Sequence, residues 1–334
     1  MAFSHPIHEA NKNSPYGDLT REEFHKKHQI LHKQSFMFNK KNMKIFTQSW
    51  QPADYSTSEL KGLVAMIHGY CSESSWLFEL NAIAIAKSGY FVCALDLPGH
   101  GYSEGSRGFI SDLLSLVSDS IQFFDSVRKE HSGLPAFLYG ESLGGAIAVF
   151  ICLRQKNEWN GLILSGPMFG ISRNMLPMWP TEKIILPVAS SFAPSWQINS
   201  TRLFAVESIK EGWKKRLVGK GPNRPTNSMI PLQAITLREF MKACSFIQRR
   251  CHQLEVPLLV LHGEDDRVCE PQAAKFVFQS AASKDKSMKI CPGMWHQLIG
   301  EPNPSVEQVF EMIISWIEVR AKMVKMNHIT HSSL

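Results

Sequence analysis

Cysteine is sparse and unpatterned in this chain. Its seven residues (Cys71, Cys93, Cys152, Cys244, Cys251, Cys269 and Cys291) are scattered, odd in number and show neither CxxC nor Cys/His metal spacing. That excludes a sequence-encoded zinc site and a disulfide framework, and free thiols in a reducing compartment are the simplest reading. Long apolar runs are missing too. Nothing approaches the roughly 18 residues of a membrane span, and the first forty residues lack the apolar core of a signal peptide. A soluble, cytoplasmic protein is therefore expected. Internal repeats and low-complexity tracts are absent. So is any basic motif interleaved with aromatics or any known binding module, so nucleic acid is not expected as a partner.

What the chain does have is enough apolar mass for one large core. Its 334 residues are 44% hydrophobic, which suits a single α/β domain carrying an insertion. Short apolar runs at Leu63–Ile67, Phe91–Leu95, Ala136–Tyr139, Leu162–Leu164, Leu258–Leu261 and Met288–Cys291 alternate with longer helical patterns. Alternation of this kind predicts βαβ units and a mostly parallel sheet, and the lack of polar alternation within the runs predicts helices on both faces. Ser35–Phe38 and Lys44–Trp50 read as a leading antiparallel hairpin. Asn303 and Pro304 open a last helix, with Val306, Val309, Phe310, Ile313, Ile314 and Ile317 along one face.

The stretch 168–253 breaks the rhythm. It contains no clear strand, is rich in Pro, Met and Trp, and from Met168 to Arg250 holds thirteen basic residues against four acidic ones, a local charge of +9 in a chain of net +6. Phe169, Ile171, Leu176, Trp179, Ile184, Ile185 and Leu186 make it too apolar for a solvated tether. An insertion after the sixth strand, lying on top of the sheet, is expected. The divisions are then an N-terminal extension 1–30, a core 31–167 and 254–325, the insertion 168–253 and a tail 326–334.

Two stretches match GxSxG: Gly101-Tyr102-Ser103-Glu104-Gly105 and Gly140-Glu141-Ser142-Leu143-Gly144. With glycine near ~7% of residues, roughly one chain in ten of this length would carry the pattern by chance. Context separates the two. A nucleophile elbow needs a strand running into the serine and a helix leaving it, because that turn lifts Oγ above the sheet. Ser142 follows Ala136–Tyr139 directly and precedes the helical run Ile147, Val149, Phe150 and Cys152. Ser103 lies between Pro98-Gly99-His100-Gly101 and Arg107-Gly108, which read as loop.

A serine hydroxyl needs a base to take its proton, and the base must be held in one tautomer. Both partners are expected later in the chain, from loops at the carboxyl ends of strands. Glu264, Asp265 and Asp266 follow the strand Leu258–Leu261, and location alone qualifies all three as the acid. His296 follows Met288–Cys291 and the turn Pro292-Gly293, the place for a base. His262 competes, but it sits at a strand end before the acid, where a buried structural role suits it better. Two backbone N–H groups must receive the oxyanion. Leu143, just after the nucleophile, supplies one, and Tyr70, in the loop after Leu63–Ile67, is expected to supply the other.

Taken together, His68-Gly69-Tyr70, the run Leu95–Gly105, Gly140–Gly145 and Gly293-Met294-Trp295-His296 resemble the monoacylglycerol lipase branch of the α/β-hydrolases, most closely its plant members, which include caffeoylshikimate esterases. The resemblance runs from about Glu22 to Arg320. It implies an α/β-hydrolase fold with a helical cap, or lid, at 168–253. It implies Ser142 as nucleophile, His296 as base, Tyr70 and Leu143 as oxyanion donors, and, through the pattern HGxxDxV, Asp266 in place of Asp265 as the acid. Many members carry glycine where this chain has Cys71, a departure that bears on the oxyanion loop.

The expected activity is a serine carboxylester hydrolase acting on a monoacylglycerol or lysophospholipid-like ester, with Phe169, Leu176, Met178, Trp179, Ile184 and Ile185 as candidates for binding the acyl chain. A hydroxycinnamoyl ester such as caffeoylshikimate, acyl transfer to an alcohol, and a ligand-binding receptor with little turnover are the alternatives. Serine acylation needs no cofactor and no metal. The small-molecule ester is the expected partner, and Lys210, Lys214, Lys215 and Arg216 beside Trp213 are candidates for peripheral contact with anionic lipid.

Overall fold

The computed structural model describes residues 4–177, 185–198, 207–221 and 232–332, with side chains to 327. Eight strands form the main sheet: β1 (Ile30–Phe38), β2 (Lys44–Pro52), β3 (Leu63–Ile67), β4 (Phe91–Leu95), β5 (Ala136–Glu141), β6 (Gly161–Ser165), β9 (Leu258–Gly263) and β10 (Lys286–Cys291). Their order is β1-β2-β4-β3-β5-β6-β9-β10. The β1/β2 hairpin is antiparallel and β2 meets β4 antiparallel, while every later pairing is parallel. This is the α/β-hydrolase architecture that the motifs imply. The expected strands are all present; Leu63–Ile67 and Phe91–Leu95 have the expected bounds, and the other six are extended by one to five residues at an end, where polar residues such as Glu141 and Lys286 hide the strand pattern.

Every residue of β3, β4, β5, β6 and β9 is buried. The pleat sends alternate side chains to opposite faces, so one run of apolar residues fills two cores. Ala65, Ile67, Leu138, Leu162 and Val260 pack with helices α3 (Leu113–Glu130) and α4 (Leu143–Arg154). Val64, Met66, Phe137, Ile163 and Leu259 pack on the other face with α2 (Trp76–Lys87) and α9 (Asn303–Ser332).

Residues before β1 are built into this second core. Ile7 and, on α1 (Arg21–Lys27), Phe24 are fully buried. Glu79 of α2 is enclosed, and its carboxylate accepts from Arg21, His25, Trp50 and Tyr16. Those donors hold it well below the usual carboxylate range against the opposing effect of burial. His25, His32 and Glu79 are the one group among the described residues with metal-ligand proximity. The guanidinium already seated on Glu79 makes it a satisfied buried ion pair.

Between β6 and β9 the chain leaves the sheet. The described parts are α5 (Leu186–Phe192), α6 (Gly212–Val218), α7 (Ala234–Arg250), and two-residue strands β7 (Gln197–Ile198) and β8 (Leu232–Gln233), paired antiparallel. The sequence reading expected no clear strand in this stretch; a two-residue pairing is too short to leave a periodic signal. Helix α8 (Pro271–Ser280) links β9 to β10. The last helix starts at Asn303 and runs unbroken to Ser332, so the stretch from 326 continues it. Among the described residues no helix is long and apolar enough to cross a membrane.

Candidate active site

The loops after β3, β5, β9 and β10 converge at the carboxyl edge of the sheet. The sharpest turn is at Ser142, between β5 and α4, with φ 55° and ψ −117°. A non-glycine residue adopts such a conformation only where its surroundings over-determine it. Here Ser142 N–H donates to the Ser165 carbonyl at 3.1 Å, and the Ser142 carbonyl accepts from the amides of Gly145, Ala146 and Met168. The glycines of the motif make the turn feasible. A Cβ on Gly140 would lie 2.5 Å from the Gly144 carbonyl oxygen, and one on Gly144 would lie 2.1 Å from that of Ile67.

Ser142, Asp266 and His296 are all buried. The imidazole bridges the other two, with Nε2 2.8 Å from Ser142 Oγ and Nδ1 2.7 Å from Asp266 Oδ2. A carboxylate only accepts, so Nδ1 carries the proton and Nε2 presents its lone pair to the serine hydroxyl. Burial would lower the pKa of His296, yet the adjacent Asp266 carboxylate raises it on balance above the ordinary imidazole value. For Asp266, burial is outweighed by the two histidines facing it, and its pKa falls well below the usual carboxylate range.

Of the three acidic residues that location qualified, Glu264 and Asp265 are exposed and Asp266 alone turns inward. Its Oδ1 accepts the amides of Val268 (2.8 Å) and Cys269 (2.9 Å). Its Oδ2 accepts from His296 and also lies 3.0 Å from His262 Nε2, whose own hydrogen bond is with the Cys269 carbonyl at 3.3 Å. The sequence reading held His262 to be buried and structural. Its ring is indeed fully buried, and it sits on the same carboxylate as His296. The four-residue separation of His262 and Asp266 in sequence does not reveal this, because the contact depends on how the loop after β9 closes.

Gly69 brings the loop after β3 against Ser142: a Cβ there would stand 3.1 Å from Ser142 Cβ and 3.8 Å from its Oγ. The Tyr70 phenol points away, donating to the Gly108 carbonyl at 3.0 Å, and its ring packs edge-on to Phe240. Leu143 is the first residue of α4, whose N–H has no acceptor within the helix. Cys71 has φ 57°, a left-handed conformation that favours the glycine of the family's pattern. Glu141, passed over as the variable residue of its motif, is buried beside this centre. Burial pushes its carboxyl up to about 7 against the pull of His296.

Ser103 is engaged elsewhere. Its Oγ donates to the Asp96 carbonyl at 2.6 Å and accepts the Phe46 amide at 2.9 Å, a structural role in the loop after β4. The acyl-binding candidates are dispersed: Phe169 is fully enclosed, Leu176 is partly buried against the core, and Ile185 is 41% exposed. Met178, Trp179 and Ile184 lie outside the described residues. One lipid-contact candidate is overturned. Lys214 is fully buried and its ammonium donates to the carbonyls of Ile299 and Glu301, because α6 docks that face inward.

Residues 58–303 match the family described as serine aminopeptidase, S33. The chain is 32% identical to caffeoylshikimate esterase of Arabidopsis thaliana over 92% of its own length and 91% of that protein. It is 30% identical to human monoglyceride lipase over 83% and 87% of the two chains. Among solved structures, a soluble variant of the Saccharomyces cerevisiae monoglyceride lipase in complex with a substrate analog superposes with a TM-score of 0.74 at 22% identity, covering 87% of this chain and 95% of that one.

Proposed function

Since the chain belongs to the serine aminopeptidase S33 family, we propose that it is a serine carboxylester hydrolase that cleaves monoacylglycerol or lysophospholipid-like esters through an acyl-enzyme on Ser142. The observation that carries this reading is the hydrogen-bonded line from Ser142 Oγ through His296 to Asp266.

Ser142 attacks the ester carbonyl as its proton passes to His296 Nε2. The imidazolium so formed is stabilised by Asp266, which also keeps the ring oriented. The amides of Tyr70 and Leu143 receive the oxyanion, and losing one such donor costs about 3 kcal/mol. Collapse expels the alcohol with the proton from His296. A water deprotonated by the same imidazole then releases the acid.

A long acyl chain suits the region between β6 and β9, here read as a cap. Exposed there are Ile185, Val188, Trp196 and Phe192, the last 86% accessible, on and around α5. Such a face supports peripheral contact with a lipid surface. Of the basic residues proposed for that contact, Lys210 and Arg216 remain exposed. The hydroxycinnamoyl reading is favoured by the 32% identity to a caffeoylshikimate esterase, and it uses the same machinery with a different acyl pocket.

The test is hydrolysis by the purified protein of monoacylglycerols of varied chain length, lysophospholipids and caffeoylshikimate, with Ser142→Ala as control. Preference for long monoacyl chains supports the first reading. Turnover confined to the hydroxycinnamoyl ester replaces it with the second. Failure of a fluorophosphonate to label Ser142 would turn the protein into a binding module.

A further inference from the structure

Lys214 is a lysine with no exposed surface on a seven-residue helix. Its ammonium reaches two main-chain carbonyls, Ile299 at 2.9 Å and Glu301, both in the loop that follows His296. The Glu301 side chain is also buried, and its Oε1 accepts the Trp295 amide at 2.6 Å, one residue before the imidazole. A path of hydrogen bonds, joined through the covalent frame of Glu301, therefore runs from Lys214 to the amide of Trp295, the residue before His296.

The same two segments are tied at three further points. Gln297 N–H donates to the Ser208 carbonyl at 2.8 Å, Glu211 N–H donates to that of Gly300 at 3.0 Å, and Lys210 Nζ donates to that of Gly293 at 2.6 Å. Of these tethers only Lys214 is both charged and enclosed. Charge-assisted bonds in a low dielectric are the strong ones, and two buried carbonyls left without a donor would turn the loop toward water.

We infer that Lys214 is a positioning residue for the base, its ammonium locking the His296 loop onto α6. The inference rests on the proposed role of His296. Moving that imidazole by about 1 Å would cost on the order of a hundredfold in rate, so a tether on the loop three and five residues after His296 has leverage on chemistry as well as stability.

The titratable groups facing the ammonium are Glu211 at the N-cap of its helix, Glu301 on the His296 loop and His5 from the N-terminal segment, with the Trp213 ring 5.5 Å away. Burial lowers Lys214, Glu211 and Glu301 pull it part of the way back, and the balance leaves it at about 8. Its folded value thus lies below that of an unfolded lysine, so the unfolded chain holds more protons between the two values. Losing the proton there does not destabilise the fold. It does weaken both bonds to the carbonyls. Activity that falls above about pH 8 while the thermal midpoint holds or rises marks positioning; a purely structural lysine would move neither downward.

The experiment uses the full chain, with active sites counted by a fluorophosphonate and turnover measured on a 4-nitrophenyl ester. Lys214→Met is expected to lower kcat per labelled site by at least about tenfold, with KM within about threefold of wild type. Glu301→Gln added to it should cost less than it does alone. Should Lys214→Met not fold, the wild-type profile decides: kcat per site falls across about pH 7.5 to 9.5 with no drop in thermal midpoint. Wild-type kcat in Lys214→Met, or a flat wild-type profile over that range, overturns the inference. Wild-type protein that takes no label would overturn the proposed function first, and this inference with it.

Discussion

Replacing Asp266 by Asn tests the site at its most constrained atom. The carboxylate accepts three hydrogen bonds, from the amides of Val268 and Cys269 at Oδ1 and from His296 at Oδ2, and its Oδ2 also lies against His262 Nε2. A carboxamide has one oxygen, and the two backbone amides, which cannot change, will claim it. The NH2 group then faces His296 Nδ1 at 2.7 Å and His262 Nε2 at 3.0 Å, two positions that held donors. The clash is relieved only if His296 moves its proton to Nε2, and an imidazole protonated there cannot accept from Ser142. A wrong tautomer of this kind lowers kcat by about 10^4, or about 5 kcal/mol. The assay is kcat per active site on a 4-nitrophenyl ester for Asp266→Asn beside Asp265→Asn and Glu264→Gln. The two controls are exposed and should stay within about threefold of wild type. Asp266→Asn retaining more than about a tenth of wild-type kcat, or Asp265→Asn falling equally far, would refute the reasoning.

The pH dependence follows from the same pair. His296 must be neutral to act as base, and its value is raised by Asp266, so kcat/KM should climb with pH along a limb centred above the ordinary ~6.5, measurable by initial rates. Stability has the opposite sign for this group: the raised histidine contributes fully below about 6.5 and loses that contribution as pH rises through its folded value. Depressed Asp266 contributes above about 4 and loses it as pH falls from there, which thermal melts across pH would register. Ser103→Ala should leave fluorophosphonate labelling unchanged while lowering stability by about 1–3 kcal/mol, because the Phe46 amide loses its acceptor; urea unfolding reads this. Cys71→Gly should raise stability by about 1 kcal/mol by relieving the left-handed φ, and unchanged or lower stability in the same unfolding assay would count against strain at that site.

Much of this molecule was legible without coordinates. The apolar runs marked six of the eight sheet strands, five of them because a parallel strand buried on both faces has no polar alternation to obscure it, whereas the edge strand β10 is only half buried and showed just its apolar end; the hairpin supplied the other two. The elbow at Ser142 was readable because its demands are local: a strand before, a helix after, and glycines where side chains would collide. The carboxylate partner of His296 was different. Glu264, Asp265 and Asp266 are equivalent by position, and the residues alone left all three open; only resemblance to a family separated them in advance.

Tertiary structure decided what no local pattern carries. Which of three neighbouring carboxylates turns inward depends on the closure of a loop over β9, and the same closure put His262 on Asp266. Lys214 looked like part of a basic surface because charge along the chain says nothing about which helix face docks. Ser142 and His296 lie 154 positions apart. Periodicity and turn chemistry act over a few residues and were written in the order of amino acids. Contacts across such separations exist only once two cores have packed and drawn the strand ends to one edge.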